Sequence, residues 1–366
     1  MSSPQFNSQS SPAYDLIALG EVMLRLDPGD QRVRTARTFT PWEGGGEYNV
    51  ARGLRTCFGL KTAVLTALVD NDIGRLIEHL MMQSGVDTSR ILWRPFDGIG
   101  RTARNGLNFT ERGFGLREAL GISDRGHSAA SQLDVHDFDW REVFGRGGCR
   151  WFHSGGIFAS LSASTAQCTL AAMAAAKENG AMVSYDLNYR PSLWQDRGGI
   201  DGARELNRQM LPFVDLVLGN EGHFTSVLEH RTEAIPRFGD SDYKSYMNQA
   251  FTSLSRSFPN IRAMAATHRH KVSSLGQNWS ATLWYEGELY TAQLYQDLPI
   301  YDRVGGGDGF ASGLIYGFLT NLGPSQALEY GVAHGALAMT TPGDSSMAQL
   351  REVSKLASGA KISINR

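Results

Sequence analysis

Three consecutive glycines followed by an aspartate, Gly305-Gly306-Gly307-Asp308, stand between a strand-like alternation and a helical pattern. The helical pattern is set by Phe310, Leu314 and Phe318, which recur every four residues. Glycine amides at a helix N-terminus can approach an anion closely and donate hydrogen bonds to it, and the helix dipole favours the same charge. A carboxylate there would repel the anion unless it had a separate task. Accepting a proton is the natural one, so the spacing predicts an anion-binding loop, here called the glycine cradle (Gly305 to Gly307), beside a base, Asp308.

The same residues have a simpler interpretation. A glycine-rich turn with an acidic residue in the first helical turn occurs in helices that bind no ligand. The pattern alone leaves both interpretations open. Gly313 and Gly317 inside the predicted helix each cost ~1 kcal/mol relative to alanine, which indicates that another part of the chain approaches this helix closely.

A second glycine-rich segment, Gly44-Gly45-Gly46, leads through Asn49 into another helical pattern that begins at Val50. The segment is a weak signal when taken alone. Its simplest interpretation is a helix start with Asn49 as the capping residue.

Arg190 follows the predicted strand Met182 to Asp186 and directly precedes Pro191, which favours an extended backbone at the arginine. The carboxyl ends of parallel strands are where such sheets bind ligands. A guanidinium group in a cleft requires an anion, and its planar fork suits a carboxylate. A salt bridge at the surface is the alternative.

The elements that must position these residues alternate between strands and helices, which is the order of parallel βαβ units. Short apolar runs predict buried strands at Tyr14 to Gly20, Lys61 to Val69, Met182 to Asp186 and Ile261 to Thr267. The sequence therefore predicts an α/β fold with helices on both faces of a sheet.

A separate small β-sheet, acting as a lid, is predicted from strand-like residues in 23–39 and 91–127. The main α/β domain is then expected to comprise 13–22, 40–90 and 128–366. Residues 1–12, rich in serine, glutamine and proline, are expected to be a disordered tail.

The composition favours small-molecule chemistry. Lys and Arg number 35 against 37 Asp and Glu, so no global basic field exists to hold nucleic acid or an anionic membrane. No apolar run approaches the ~20 residues of a membrane span. Cys57, Cys149 and Cys168 show no metal or disulfide spacing, and the first residues lack a secretion pattern. A reduced cytoplasm is the expected setting.

The stretch Asp302-Arg303-Val304-Gly305-Gly306-Gly307-Asp308 resembles the Asp-Thr-x-Gly-Ala-Gly-Asp motif of the ribokinase-like sugar kinases, the PfkB family. The resemblance implies a three-layer α/β/α sandwich with a small β lid. It also implies that the glycine amides stabilise the transferred phosphoryl group and that Asp308 deprotonates a sugar hydroxyl. Arg303 and Gly306 depart from the motif, which usually has threonine and alanine there.

Two further segments extend the resemblance to the sugar site. The Gly-Gly-x-x-x-Asn motif of the family matches Gly44-Gly45 through Asn49, or Gly45-Gly46 with compressed spacing, and implies sugar contacts. Asp186 to Trp194 is similar to a stretch of 2-keto-3-deoxygluconate kinases in which an arginine, here Arg190, holds the carboxylate of the sugar acid. Arg125 matches a second arginine of that subfamily. Arg25 and Arg104, on the predicted lid, are further candidates.

The resemblance also implies a nucleotide site and its cofactors. ATP and Mg²⁺ are expected, with a monovalent cation as a further candidate. The Asn-x-x-Glu motif of the family would place glutamate at position 223, where this chain has His223, and Glu221 is the substitute candidate for magnesium. The basic run His268 to Lys271 is expected to be solvated unless Arg269 neutralises triphosphate charge. The residues expected to contact ATP are Asn220, Thr267, Arg269, Gly305, Gly307, His334 and Ala338.

Together these features predict an ATP-dependent kinase of a keto-deoxy sugar acid, with 2-keto-3-deoxygluconate as the preferred substrate and its 6-phosphate as product. Alternatives are a kinase of another sugar, such as fructose, ribose or a different keto acid, and a non-catalytic sugar-binding or regulatory relative. A homo-oligomer, preferably a dimer, is expected because an open lid sheet would have an edge that a second subunit could cover.

Overall fold

Apolar strands form a large mixed sheet in the computed structural model, which describes residues 12–145, 148–228, 234–272 and 276–360. The predicted tail, Met1 to Pro12, lies outside these residues except for Pro12. The strands of the described residues are β1 (Tyr14–Leu19), β2 (Met23–Asp27), β3 (Thr40–Gly44), β4 (Thr62–Val69), β5 (Ile91–Arg94), β6 (Leu107–Glu111), β7 (Leu120–Asp124), β8 (Cys149–Gly155), β9 (Met182–Asp186), β10 (Leu216–Asn220), β11 (Ala263–Lys271), β12 (Gly276–Tyr285), β13 (Glu288–Thr291) and β14 (Tyr295–Pro299).

Helices connect the strands as the alternating pattern predicts. The α-helices of the described residues are α1 (Gly46–Thr56), α2 (Asp72–Ser84), α3 (Trp140–Phe144), α4 (Gly156–Ala159), α5 (Ala163–Glu178), α6 (Gly199–Met210), α7 (Tyr243–Ser257), α8 (Gly306–Leu319), α9 (Pro324–Ala338) and α10 (Leu350–Ala357). None of them has the length and apolar character needed to cross a membrane.

The large sheet runs in the order β13-β12-β11-β10-β9-β8-β1-β4-β5, with β14 also paired to β12. All pairs from β11 to β5 are parallel, whereas β12 is antiparallel to its partners. Parallel strands covered on both faces are mostly apolar, and every residue of β4 is buried. The carboxyl ends of the parallel strands therefore meet along one edge, where ligands bind in folds of this kind.

Two apolar cores lie on opposite faces of this sheet. Alternation along β1 places Ile17 and Leu19 in one core and Leu16 and Ala18 in the other. The first core contains residues of α5, α6 and α7, and the second contains residues of α1, α8, α9 and α10. The predicted three-layer architecture is confirmed.

A separate four-stranded sheet, here called the small sheet, has the order β3-β2-β6-β7. Its bounds differ from the predicted lid in two places. β3 was assigned to the main domain but pairs with β2, and β5 was assigned to the lid but extends the large sheet beside β4. Short apolar strands carry no local mark of their partner, because pairing is decided by contacts distant in sequence.

The basic run His268 to Lys271 lies on a strand, and Arg269, His270 and Lys271 are exposed as expected for a solvated run. β11 continues through Lys271 because each residue of this run pairs with β12, from His268 opposite Ser280 to Lys271 opposite Gln277. The basic residues of the run are therefore held on a strand, and they extend past the carboxyl edge of the parallel strands.

Candidate active site

A cavity of about 710 Å³ opens between the carboxyl edge of the large sheet and the small sheet. The large sheet contributes Asp186 and Gly219 to its wall, near the carboxyl ends of β9 and β10, together with Thr267 of β11, which pairs with the last residue of β10. The small sheet contributes Met23 and Asn108. Both glycine-rich helix starts open onto the same cavity.

The glycine cradle forms the turn into α8. Gly305 precedes the helix with φ of 80°, and a Cβ atom at this residue would lie 1.8 Å from the backbone oxygen of Asp344. Only glycine suits this position, because both the left-handed backbone and the close approach exclude a side chain. Gly305 and Gly307 line the cavity, and Gly306 packs against Met339 between them. The first amides of an α-helix have no partner within the helix, so this turn can bind an anion.

Asp308 lies in the first turn of α8, on the cavity wall. Burial raises the pKa of this carboxyl to about 7, against a hydrogen bond from Asn49 that lowers it. The nearby carboxylates of Asp186 and Asp344 raise the pKa further, whereas Arg269 lowers it. A carboxyl group with a pKa near neutrality is suited to accept and release a proton at physiological pH.

The second glycine-rich segment positions Asn49. Helix α1 begins at Gly46 with Gly45 before it, so the interpretation of Asn49 as the helix cap is wrong. Gly45 has no room for a side chain, since a Cβ atom there would lie 1.9 Å from the backbone oxygen of Glu21. The Asn49 side chain instead donates a 2.7 Å hydrogen bond to Asp308, and its oxygen accepts a 3.1 Å bond from Ser345.

Three of the predicted arginines reach this cavity. Arg190 follows β9 with an extended backbone, and its guanidinium group is exposed. Among the described residues, no carboxylate lies within ion-pair distance of Arg190, which donates a 3.2 Å hydrogen bond to the Tyr189 carbonyl. Arg125 lines the same wall but pairs with Glu21 at 2.9 Å. Arg269 lies beside the cradle, where one of its nitrogens is 3.1 Å from the point that a Cβ of Gly307 would occupy.

Most of the chain matches one protein family. Residues 14–237 and 261–350 match the profile of the pfkB family carbohydrate kinases. The chain belongs to this family. The family, the ribokinase-like fold and the carbohydrate kinase class predicted from the Asp302 to Asp308 motif are therefore confirmed.

Curated relatives match the pfkB kinase along almost its whole length. The 2-dehydro-3-deoxygalactonokinase of Haloferax volcanii is 26% identical over 357 residues, which cover 96% of this chain and 99% of the relative. The 5-dehydro-2-deoxygluconokinase of Bacillus subtilis is 27% identical over 354 residues, which cover 96% of this chain and 97% of the relative.

Solved structures agree with the family assignment. The 2-dehydro-3-deoxygluconokinase of Thermotoga maritima has a TM-score of 0.84 and 31% identity, covering 94% of this chain and 99% of that one. A putative ribokinase II from E. coli, in complex with ATP and magnesium, has a TM-score of 0.76 at 18% identity over 94% of this chain and 99% of that one, which shows the shared fold.

The cavity wall at β10 and β11 carries polar groups that were predicted to contact ATP or magnesium. Asn220, Glu221 and Thr267 line the cavity there. His223, where the family motif has glutamate, donates its amide proton to the Asn220 side-chain oxygen at 3.0 Å. Burial lowers the pKa of His223 to about 4, so the ring is neutral and offers no negative charge. Glu221 pairs with His268, with an oxygen 2.7 Å from its ring nitrogen.

These groups fit a magnesium ion only as a partner of nucleotide phosphates. Within the described residues there is no group of three or more His, Cys, Asp or Glu side chains that could hold a metal ion. Magnesium commonly keeps waters and phosphate ligands and takes one or two carboxylates from the protein. Glu221 at the cavity wall is suited to supply such a carboxylate ligand, directly or through a water.

Two arginines predicted to contact the substrate lie outside the cavity wall. Arg25 is fully buried and forms ion pairs with Asp302 and Asp344, so its charge is already neutralised. Arg104 is exposed and donates a 2.7 Å hydrogen bond to the carbonyl of Gly126. The prediction for Arg25 was wrong because the sequence around an arginine gives no sign of whether carboxylates from distant segments surround it.

His334 and Ala338 were predicted to contact the nucleotide, but both are buried between α8 and α9. His334 lies 2.8 Å from the Ser312 hydroxyl and 2.9 Å from the Gly309 carbonyl, and burial lowers its pKa to about 4. Ala338 packs against Gly309. The small residues of α9 therefore serve close packing against α8, and they do not contact adenine.

Four cavity carboxylates were absent from the predicted site: Glu21, Glu47, Asp186 and Asp344. Glu47 is nearly inaccessible, and burial raises its pKa to about 8. Its oxygens lie against Gly20 and Gly155, where side chains would clash. A glutamate inside the Gly-Gly-x-x-x-Asn segment and an aspartate at the end of a parallel strand were the available signals for Glu47 and Asp186. The sequence around Asp344 offered none.

Proposed function

We propose that this pfkB kinase transfers the γ-phosphoryl group of ATP to the primary hydroxyl of a keto-deoxy sugar acid, with 2-keto-3-deoxygluconate and its 6-phosphate as the preferred pair. The observation that carries the proposal is the shared cavity of Asp308 and Arg190. A base at a helix N-terminus faces the space that Arg190 also borders, and no carboxylate of the described residues forms an ion pair with this arginine. The names of the relatives, which are kinases of dehydro-deoxy sugars, favour the same substrate class.

The proton and the phosphoryl group move in opposite directions in this scheme. Asp308 accepts the hydroxyl proton as the sugar oxygen attacks the γ-phosphorus, and the bond to ADP breaks. The amides of the glycine cradle hold the charge that spreads over the transferred phosphoryl oxygens. Glu221 would hold magnesium beside the nucleotide phosphates, where the ion would neutralise part of the same charge. Arg269 lies on the cradle side, where it adds a positive charge toward the phosphates.

Recognition of the acid end is assigned to Arg190, supported by Arg125. A bidentate bond from a guanidinium group to a carboxylate is stronger and more directional than a bond to a neutral hydroxyl. Arg125 is already paired with Glu21, so it would contribute less free charge than Arg190. Gly45, Gly46 and Asn49 border the space between Asp308 and these arginines, and they would hold the sugar hydroxyls.

Asn220 and Thr267 would contact ATP, with Glu221 toward magnesium. Closure of the small sheet over the cavity would exclude water and limit wasted hydrolysis of ATP. The enzyme is proposed to act in the cytoplasm. A dimer in which a second subunit covers the open edge of β7 stays a prediction.

A substrate panel tests this function. ADP release is measured with 2-keto-3-deoxygluconate, its galactose epimer, 5-dehydro-2-deoxygluconate, fructose and ribose, each with ATP and magnesium. We expect kcat/KM for a keto-deoxy acid to exceed that for fructose or ribose by about 10- to 100-fold, because a hydrogen bond between charged groups contributes roughly 1.5–3 kcal/mol. If kcat/KM for fructose or ribose equals that for the acids, the alternative of a fructose or ribose kinase is established. No turnover with any sugar would favour the non-catalytic alternative.

A further inference from the structure

Arg25 occupies the centre of a buried cluster of charges between the small sheet and the glycine cradle. The side chain belongs to β2 and has no solvent exposure. Its two terminal nitrogens pair separately, one with Asp302 and the other with Asp344 at 2.5 Å. Asp27, also on β2, lies 3.4 Å from the nitrogen that faces Asp302. One guanidinium group therefore joins three segments that are far apart in the chain.

Both partners of Arg25 border the glycine cradle. Asp302 lies three residues before Gly305, and its carboxylate accepts a 3.1 Å hydrogen bond from the amide of Val304. Asp344 places its backbone oxygen against the α-carbon of Gly305, closely enough to exclude a Cβ. The position of the first cradle residue thus depends on where these two segments are held.

The charges of the cluster require a cation at this place. Asp302 and Asp344 are both more than nine-tenths buried, and two such carboxylates near each other repel when neither is paired. A monovalent cation would be one solution, but Arg25 already binds one oxygen of each carboxylate, Oδ2 of Asp302 and Oδ1 of Asp344, and the other Asp302 oxygen accepts the Val304 amide. The residues present therefore do not fit a monovalent cation at this position.

We propose that Arg25 is a positioning residue that supplies this cation from within the chain and holds the cradle in its anion-binding geometry. The inference rests on the anion-binding part of the proposed function and is independent of which sugar is the substrate. A planar fork with two donor edges can pair with two carboxylates at a fixed angle, which a hydrated ion holds less rigidly. Asp302 and Asp344 are thereby kept at a fixed separation across the turn into α8.

The cluster also connects the cradle to the small sheet. Asp27 receives two further bonds from Arg112, at 3.2 and 3.1 Å, just after β6. The guanidinium group of Arg112 lies over the ring of Tyr301, 4.6 Å from its centre, in the segment that precedes the cradle. The small sheet therefore holds the turn into α8 from its outer side, and a shift of β2 would be transmitted to Gly305.

Hydrogen exchange of the protein without substrates tests the positioning directly. The variants are Arg25→Gln, which removes the charge, and Arg25→Lys, which keeps it but cannot form the fork. Arg94→Gln is the control, because it removes a partly buried ion pair with Asp137 that is remote from the cradle. We expect amides of the segment 302–309 to exchange faster in Arg25→Gln, to a smaller extent in Arg25→Lys, and not in the control. Unchanged exchange of this segment in Arg25→Gln would overturn the proposal.

Kinetics separate positioning from general loss of stability. With whichever sugar turns over, kcat of Arg25→Gln should fall roughly 100-fold, the cost of misplacing a reacting group by about 1 Å, while KM for the sugar changes little. Millimolar guanidinium chloride, far below the molar range that unfolds proteins, should restore part of kcat in Arg25→Gln but not in Asp308→Asn. A wild-type kcat in Arg25→Gln, or a lost kcat that guanidinium does not restore, would contradict the proposal.

Arg25→Lys decides the question if Arg25→Gln does not fold. Wild-type exchange and wild-type kcat in that variant would show that the fork is not needed. The exchange experiment involves no sugar, so a failed substrate panel would leave its result unaffected. Conversely, unchanged exchange in Arg25→Gln together with a confirmed acid substrate would contradict the positioning role of Arg25 and leave the proposed function in place.

Discussion

Asn49 donates a 2.7 Å hydrogen bond from its side-chain amide to Oδ2 of Asp308, across 259 residues of chain. The bond joins the first turns of α1 and α8, so that both glycine-rich helix starts serve one site. Each segment alone is a weak sequence signal. Their meeting at one carboxylate distinguishes the site from two ordinary helix starts, because a capping role would keep each polar side chain on its own helix.

Replacement of Asp308 by asparagine tests the proposed base. Asparagine keeps the shape of the side chain but cannot accept the hydroxyl proton. We expect kcat to fall by at least ~100-fold, the usual contribution of a positioned general base. Calorimetric binding of the sugar should be retained, because the arginines and Asn49 are unchanged. Near-normal turnover would remove Asp308 from the mechanism.

The pH dependence of the reaction should reflect the same carboxyl group. The folded-state pKa of Asp308 is raised to about 7, so the base is protonated and inactive below that pH and ionised above it. In the wild-type enzyme, kcat/KM should therefore rise with pH through about 7. In Asn49→Ala the bond that lowers this pKa is absent, and the midpoint should move to higher pH.

The position of the midpoint separates two roles of Asn49. Loss of a sugar contact alone would lower kcat/KM by the same factor at every pH. Loss of the bond to Asp308 shifts the profile and leaves its upper plateau closer to the wild-type value. A profile of Asn49→Ala with an unmoved midpoint would mean that this bond does not set the protonation of the base.

Local chemistry made part of this site predictable. The start of α8 at Gly306 follows from glycines before an apolar repeat, and the extended backbone of Arg190 follows from the proline after it. Arg25 was misassigned because its carboxylate partners lie 277 and 319 residues away, and no local pattern announces an ion pair of that span. The burial of His334 depended likewise on how α9 packs against α8.

Replacement of Arg190 by alanine tests recognition of the acid. The loss of a bidentate bond to a carboxylate should lower kcat/KM for 2-keto-3-deoxygluconate by roughly 1.5–3 kcal/mol, or about 10- to 100-fold. Turnover of fructose, where measurable, should change much less. Arg256→Ala, which removes an exposed arginine from α7, is the matched control. Equal losses for the acid and for fructose would count against recognition of a carboxylate by Arg190.

The raised pKa of Glu47 is expected to make the folded protein less stable as pH rises. Burial raises the pKa of this carboxyl from 4.5 to about 8, so the folded protein keeps a proton that the unfolded chain releases within that interval. Each unit of pH between the two values then favours the unfolded state by up to about 1.4 kcal/mol. The contribution of Glu47 to stability is therefore greatest below the lower value and falls as pH rises.

Glu47→Gln removes this titration while keeping a polar side chain of nearly the same shape against Gly20 and Gly155. We expect the variant to become more stable relative to the wild type as pH rises from 4.5 to about 8, with the difference constant above that. Urea unfolding of both proteins at several pH values in this interval measures the difference in unfolding free energy. Glu178→Gln, at an exposed position of α5, is the control. A difference in unfolding free energy that stays the same at every pH, or that decreases as pH rises, would show that Glu47 is already ionised in the folded protein, and the cavity would then carry one more negative charge against ATP.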